Sequence, residues 1–526
     1  MVILERPEAR AANITCPVNG TYDPTAPMSD RTAHVCVRCG GQFVMALEDQ
    51  GKVHVDFVYL SPGQWGRLKG LPVLKEGAKW LADMGTKIFR MGGSFCDESA
   101  YFWKRWRGKP WERVTSSTSW GHDFEGGWGP FETIDMAHAM GITMVVTTFA
   151  VGDVQVSGEG SQRPTSRPIT ADDMADLVEY SFGDASTTWG KMRIETDEHP
   201  AIYNWSFIEL GNEQYNPDFV EQVAAMEERA KKVGVGGKLS YLFPSGWNAV
   251  PQGVNSTDAP KAAALGLGDR LLCDLHTLDG YIVPPTRPLQ MDLDQISEHW
   301  GVPRFHDVLQ SNTTGPQGWG AINLETNCGD HTLRRALEEG YDLNMFANEG
   351  NNRLKGRAAS FCMERSGYQE GGLNDQGLVF FLPNMTWGQP PFYTHKMIAD
   401  TLQPNAIAWS MTSSDDYNAT NLNGIVSSQV SEDGADATVR FVNPRTAPVL
   451  LDLTVNKGGR GCVSTSLPSG VTVRMTVLHS ANLFDANTPA APTAVSPITS
   501  AVSDLGNMRV PANSFVIITV AGFRCE

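Results

Sequence analysis

The chain has 526 residues, of which 41% are hydrophobic and 19% charged. That is enough apolar material for a large core, and more chain than one small domain needs. With 42 Lys and Arg against 59 Asp and Glu the net charge is −17. This balance argues against nucleic-acid binding and against docking on an anionic membrane, and no apolar run reaches the about 18–20 residues of a membrane span.

Residues 1–50 are mixed in character, with turn signals at Pro17, Gly20 and Pro24. They are expected to pack on a later domain or lead into one. The start, MVILERPEAR, lacks the apolar core of a secretory leader. From there on, short apolar runs alternate with helical patterns. β-like runs fall at 55–60, 87–91, 142–151, 205–210, 239–243, 271–276, 321–325 and 358–363. Helical spacing marks 171–180, with Thr170 as its N-cap, and also 219–232 and 332–346. Strand–helix alternation with about eight strands predicts an α/β fold, a (β/α)8 TIM barrel over 51–400. After residue 400 the texture changes. β-branched runs at 437–442, 448–455, 470–478 and 514–520 predict a β-sandwich over 401–526, with 487–500 as a long surface loop.

Nine cysteines include one C-x-x-C, Cys36 and Cys39. No second pair stands at zinc spacing, so a short disulfide or free thiols is the preferred reading and no metal is expected. Cys273, Cys328 and Cys362 lie in apolar surroundings and are read as core. Sequons occur at Asn13, Asn19, Asn255, Asn312, Asn384 and Asn418, and also at Asn204, which enters a strand and is set apart for that reason. With the acidity and the tryptophan content they point to a secreted glycoprotein.

The chemistry-bearing residues are carboxylates. The run F-I-E-L-G-N-E at 207–213 ends in Glu213, where a barrel strand would present it at the mouth. A partner carboxylate should close another strand. Glu325, closing 321–325, is preferred over Glu349, which the helical spacing from Leu333 to Leu343 places at a helix end. Two carboxylates at one mouth suit glycosidic cleavage, one protonating the leaving oxygen and the other attacking or activating water.

These motifs resemble the retaining α-L-arabinofuranosidases of glycoside hydrolase family 51. The resemblance is carried by L-S-P-G-Q-W-G-R-L-K-G-L-P at 60–72, I-F-R-M-G-G-S at 88–94, W-G-P-F-E at 128–132 and D-L-V-E-Y at 176–180. It continues through I-E-L-G-N-E at 208–213, C-D-L-H at 273–276, L-E-T-N-C-G-D-H-T-L-R-R-A-L at 324–337 and D-Q-G-L-V-F-F at 375–381. It implies Glu213 as acid/base on the fourth strand and Glu325 as nucleophile on the seventh. It further implies sugar contact or support from Asn212, Arg90, His276 and Gln376. The chain departs from the pattern at Ser94, where the family often has Asn, and at Leu278, where it usually has an aromatic. Glu48 is an uncertain match for an early furanose-binding Glu. Trp128, with Trp103, Trp106 and Trp120, offers planes for stacking on sugar faces.

The expected function is therefore a retaining exo-glycosidase that removes terminal α-L-arabinofuranosyl residues from a polysaccharide or glycoprotein, with no cofactor. Two alternatives are a glycosidase-like scaffold without activity and another barrel glycosidase of β-glucuronidase or endo-glucanase type.

Overall fold

The computed structural model describes residues 66–113, 116–117, 123–124, 128–156, 165–244, 259–274, 276–278, 320–327, 330–348, 354–359, 363–365, 376–382, 385–403, 407–408, 422–453 and 470–522. The first 50 residues, the 55–60 run, Cys36, Cys39, Cys328, Cys362, Glu48, Glu349, Trp120 and the six sequons other than Asn204 lie outside them. Asn204 itself is exposed, between buried Tyr203 and Trp205.

A parallel sheet forms the barrel. Its strands are β1 (Ile88–Met91), β2 (Thr143–Thr148), β3 (Phe207–Leu210), β4 (Ser240–Phe243), β5 (Leu271–Asp274), β6 (Gly320–Asn327) and β7 (Leu354–Ala359). Each pairs in parallel with the next, and Thr277–Leu278 adds a short strand beside β6. Counting the expected 55–60 run as the first strand, β3 would be the fourth. Gly356 of β7 lies against β1, where a Cβ would come within 2.1 Å of the Ile88 Cδ1, so the small residue lets the two ends of the sheet approach.

Helices clothe the outside. The 12-residue helix α1 (Ala171–Phe182) starts in a capping box: Thr170 Oγ1 accepts from Asp173 N, and the Asp173 carboxylate accepts from Thr170 N. Its inward face packs beside α2 (Phe219–Lys232) in the largest core cluster. Trp103 and Trp106 are buried in that cluster. The stacking role expected of them is corrected: their rings are spent on packing against Tyr101, Tyr180 and Trp189. Cys273 is buried in the same core, as expected.

The expected strand at 358–363 is the joint between two others. The apolar stretch read there straddles the end of β7 and a separate strand, Met363–Arg365, in a small sheet with Val379–Leu382 and Met385–Gly388. β7 itself carries Lys355, Gly356 and Arg357, which hid it from the apolar pattern.

The C-terminal part is a sandwich. Its larger, antiparallel sheet runs Ile407–Ala408, β8 (Val426–Val430), β9 (Ala437–Asn443), β12 (Ser514–Ala521), β10 (Thr472–His479) and β11 (Ile498–Val502). Val449–Leu451 and Met508–Val510 pair opposite it and close its core with Val439, Phe441 and Ile518. Helix α3 (Leu333–Asn348), which follows β6, joins barrel and sandwich. Leu333, Ala336 and Leu337 pack on Leu478, Phe515 and Ile517, and Asn344 Nδ2 donates to the carbonyls of Gly424 and Ile425.

The 487–500 stretch is only partly a surface loop. Residues 498–502 form the edge strand β11, and Asn487 is buried. Asn487 Nδ2 donates to the carbonyls of Gly388 and Val495, and its Oδ1 accepts from Val495 N. Its own carbonyl accepts from Trp387 Nε1 and Gln389 Nε2. Replacing Asn487 with Ala leaves buried carbonyls and an N–H without partners. The expected cost is about 2–4 kcal/mol, read as a lowered urea midpoint with an unchanged slope.

Candidate active site

Strand alternation builds the site. In β1, β2, β3 and β5 an apolar residue points into the lower barrel, and the residue two positions on stands above it on the same face. Ile88 is followed by Arg90, Val145 by Thr147, Phe207 by Glu209 and Leu272 by Asp274. The four apolar members form one cluster with Leu242, Ile322 and Leu324. The four polar members make a layer over that floor, at the carboxyl ends of the strands. β6 breaks the alternation. Its pairing with β7 slips between Ala321 and Asn323 and again between Asn323 and Thr326. Such irregularity re-aims a side chain, and here Glu325 reaches the mouth although Ile322 and Leu324 line the floor. Asn323 Oδ1 accepts from Glu325 N and Thr326 Oγ1, fixing the distorted segment.

Arg90 is the hub. Its Nε and Nη2 donate to Glu209 at 2.7 and 3.1 Å, its Nη2 also to Asn212 Oδ1 at 2.7 Å, and its Nη1 to Glu325 Oε2 at 2.9 Å. Space for the guanidinium comes from Gly92, where a Cβ would sit 2.6 Å from the Arg90 Cζ and 2.9 Å from Thr147 Oγ1. Thr147 Oγ1 donates a further 2.7 Å bond to Glu209.

His276 is the second cation. Its Nδ1 lies 2.8 Å from Glu213 Oε1 and 3.8 Å from Glu325 Oε2, and its Nε2 lies 2.6 Å from Asp274 Oδ2. Burial alone would favour the neutral ring, but Asp274, then Glu325, hold it protonated well above its ordinary value. Beneath it, Asp274 Oδ1 accepts from Leu324 N, tying β5 to β6. Glu209 and Asp274 are both fully buried and hydrogen-bonded to each other. Burial pushes Glu209 up to about 8 against the pull of Arg90, while Asp274, facing His276 and Arg90, is held below its usual range. The pair thus shares one proton between its two carboxyls.

One carboxylate oxygen of Glu213, one of Glu325 and a His276 ring nitrogen all lie within 4.8 Å of one another. Both carboxylates remain partly open, at 17% and 19% side-chain exposure, above a layer that is closed to solvent. The arrangement offers two approachable oxygens, one backed by a guanidinium and the other by an imidazolium.

Among the residues expected here, Glu213, Glu325, Asn212, Arg90 and His276 come together. Ser94 opens a short 3-10 turn, Ser94–Asp97, directly after β1. Gln376 is buried, its N–H donating to Glu364 and its carbonyl accepting from Arg335. Trp128 donates to Thr133 Oγ1 and packs with an apolar cluster that includes Val73, Met136 and Phe392. Sequence reasoning missed Glu209, Asp274, Thr147, Asp97 and Gln214. For Glu209 and Asp274 a signal existed: each is an acid inside an apolar strand, Asp274 two positions before His276 and Glu209 three and four positions before Asn212 and Glu213.

Residues 80–236 match the model of the α-L-arabinofuranosidase 1 domain. An extracellular exo-α-L-arabinofuranosidase of Streptomyces chartreusis is 31% identical over 206 residues, which is 36% of this chain and 25% of that protein. The chain thus matches a quarter of that relative's length. Among solved structures, a family 51 α-L-arabinofuranosidase of Bifidobacterium longum superposes with a TM-score of 0.61 at 15% identity, covering 85% of this chain and 90% of that one. The α-L-arabinofuranosidase of Thermotoga maritima, in an arabinose complex, gives 0.59 at 15% identity with the same coverage. These two likenesses establish the fold, a barrel with an attached sandwich.

The buried Glu209 has a pH signature. Burial pushes its carboxyl up to about 8, while an ordinary glutamate gives up its proton near 4.5. Between these values the folded state holds a proton that the unfolded chain lacks, so stability falls as pH rises through that window and levels off above it. Glu209→Gln keeps the neutral form at every pH. Urea midpoints measured from pH 5 to 9 should show wild type losing stability relative to this variant as pH rises, with the difference flattening past about 8. Parallel curves for the two proteins would contradict a proton on Glu209.

Proposed function

We propose that the protein is a retaining exo-α-L-arabinofuranosidase that releases terminal α-L-arabinofuranosyl residues from a polysaccharide or glycoprotein. The observation that carries this reading is the approach of Glu213 and Glu325 to within 4.8 Å. Retaining glycosidases keep their carboxyl groups about 5–5.5 Å apart, whereas inverting ones leave about 6.5–9.5 Å for a water. The domain match over 80–236 and the Streptomyces chartreusis relative support the sugar, and that relative's printed description as extracellular supports secretion. Neither the inactive scaffold nor a different barrel glycosidase gains support from these comparisons.

The roles follow from the contacts. Arg90 engages Glu325 Oε2 and orients the carboxylate. Glu325 then attacks the anomeric carbon, and the C–O bond to the aglycone breaks as a glycosyl ester forms. Glu213, at a partly open position, protonates the departing oxygen. It next takes a proton from water, which displaces Glu325 and regenerates the free carboxylate. His276, between the two, stabilises whichever of them is ionised. Asn212, held by Arg90, would contact the sugar's 2-hydroxyl.

Kinetics with aryl α-L-arabinofuranosides test the assignment. Glu325→Gln should lower turnover by about a thousandfold or more on every substrate, because no covalent intermediate forms. Glu213→Ala should retain its first step with an activated leaving group and stall at the second. Added azide should then restore turnover and yield the glycosyl azide of retained configuration. Wild-type rates in both variants would remove these residues from the chemistry.

A further inference from the structure

The turn that carries Glu213 is strained. Gly211 has φ +117° and Glu213 itself φ +46°, a left-handed conformation that costs a non-glycine residue roughly 1–2 kcal/mol. Such geometry persists only where surrounding contacts hold it. Below the turn, Asn216 Nδ2 donates to the Leu210 carbonyl and to Gln222 Oε1, so the backbone is anchored on the helix side. On the mouth side a carboxylate adds to the hold that Arg90 has on Asn212 and His276 on Glu213. Asp97, at the end of the turn after β1, accepts from Asn212 Nδ2 at 3.3 Å through one oxygen and from Gln214 Nε2 at 3.0 Å through the other. The two residues that flank Glu213 in sequence are thereby tied to one group more than a hundred residues earlier.

The clamp also sets the rotation of the Asn212 amide. Arg90 can only donate, so it requires the Asn212 oxygen, and Asp97 as a carboxylate accepts the nitrogen. Without Asp97 the amide would lose the partner of its N–H group, and Gln214 would swing free of the turn. Gln214 also packs close to Gly211, its Nε2 3.2 Å from where a Cβ would stand there. Asp97, Gln214 and Gly211 thus interlock around the backbone of Glu213.

We propose that Asp97 is a positioning residue for Glu213, a carboxylate clamp that holds the left-handed turn and keeps the acid/base aimed at the leaving oxygen. Asp97 acts through Asn212 and Gln214 and does not exchange protons with substrate. The kinetic part of the inference rests on the glycosidase reading; the structural part does not.

The test uses Asp97→Ala and Asp97→Asn in the full chain. With aryl and alkyl α-L-arabinofuranosides, Asp97→Ala should lower kcat by about 10–100-fold on the unactivated alkyl substrate, the range that small misplacements of a catalytic group produce. It should lower kcat far less on a dinitrophenyl leaving group, which needs little protonation, and change KM little on either. Asp97→Asn, which keeps one acceptor oxygen, should recover part of the loss. Hydrogen exchange over residues 211–216 gives a readout independent of turnover, and it should quicken in Asp97→Ala while exchange in α1 stays unchanged. An equal loss on both leaving groups, or unchanged rates in an active protein, would overturn the clamp while leaving the glycosidase reading in place. If wild type is inert on every glycoside, that reading falls, and exchange decides alone: faster exchange at 211–216 supports the clamp, and unchanged exchange refutes it.

Discussion

The whole mouth of the barrel depends on one buried guanidinium. Arg90, on β1, spends its donors on Glu209, Asn212 and Glu325, side chains that arrive from β3, the turn after it and β6. A planar fork with a fixed spread can serve three acceptors at once. A lysine in the same place is a single point and could not reach Glu209 and Glu325 together. The barrel is built to admit this group: Gly92 leaves the room, and Ile88, two residues earlier on the same face, belongs to the apolar floor beneath it.

Charge balance explains the second layer. Two cations, Arg90 and His276, lie among the carboxyls Glu209, Asp274, Glu213 and Glu325, with Asp97 beside them. Were all of these carboxyls ionised, the centre would carry an excess of negative charge, much of it out of reach of water, which burial penalises steeply. One proton kept between Glu209 and Asp274 reduces that excess. The buried pair thus sets the electrostatic background against which the two exposed carboxylates exchange roles. That is why the deepest residues of the site, which touch no substrate, are acids rather than the apolar residues a barrel core would otherwise take.

Much of this was legible in the sequence, for definable reasons. β3, β4 and β5 fall within the expected runs because parallel strands buried on both faces are continuously apolar, and α2 coincides with the expected 219–232 because its period is clean. Glu213 and Glu325 could be found because strand ends are where a barrel presents its chemistry. β7 was misplaced because Lys355, Gly356 and Arg357 break its apolar pattern, the glycine serving the closure against Ile88. Trp103 and Trp106 were misread because an aromatic side chain looks alike in sequence whether it faces a sugar or a core. Asp97 carries no local signal: its meaning comes from partners 115 and 117 positions away, and no spacing rule reaches that far.

Strain and support complete the logic of the site. The two exposed carboxylates both sit where regular structure has been broken, Glu325 on a strand whose register slips and Glu213 in a left-handed turn. Regular strands would send successive side chains to opposite faces and could not bring both oxygens above the apolar floor. Each break is then held by a buried or half-buried polar group, Asn323 for the first and Asp97 with Asn216 for the second. The local cost is met by hydrogen bonds inside the fold and not by contact with a ligand. The oxygens therefore stand ready before any sugar arrives, which is the condition under which electrostatic stabilisation of a developing charge needs no further reorganisation.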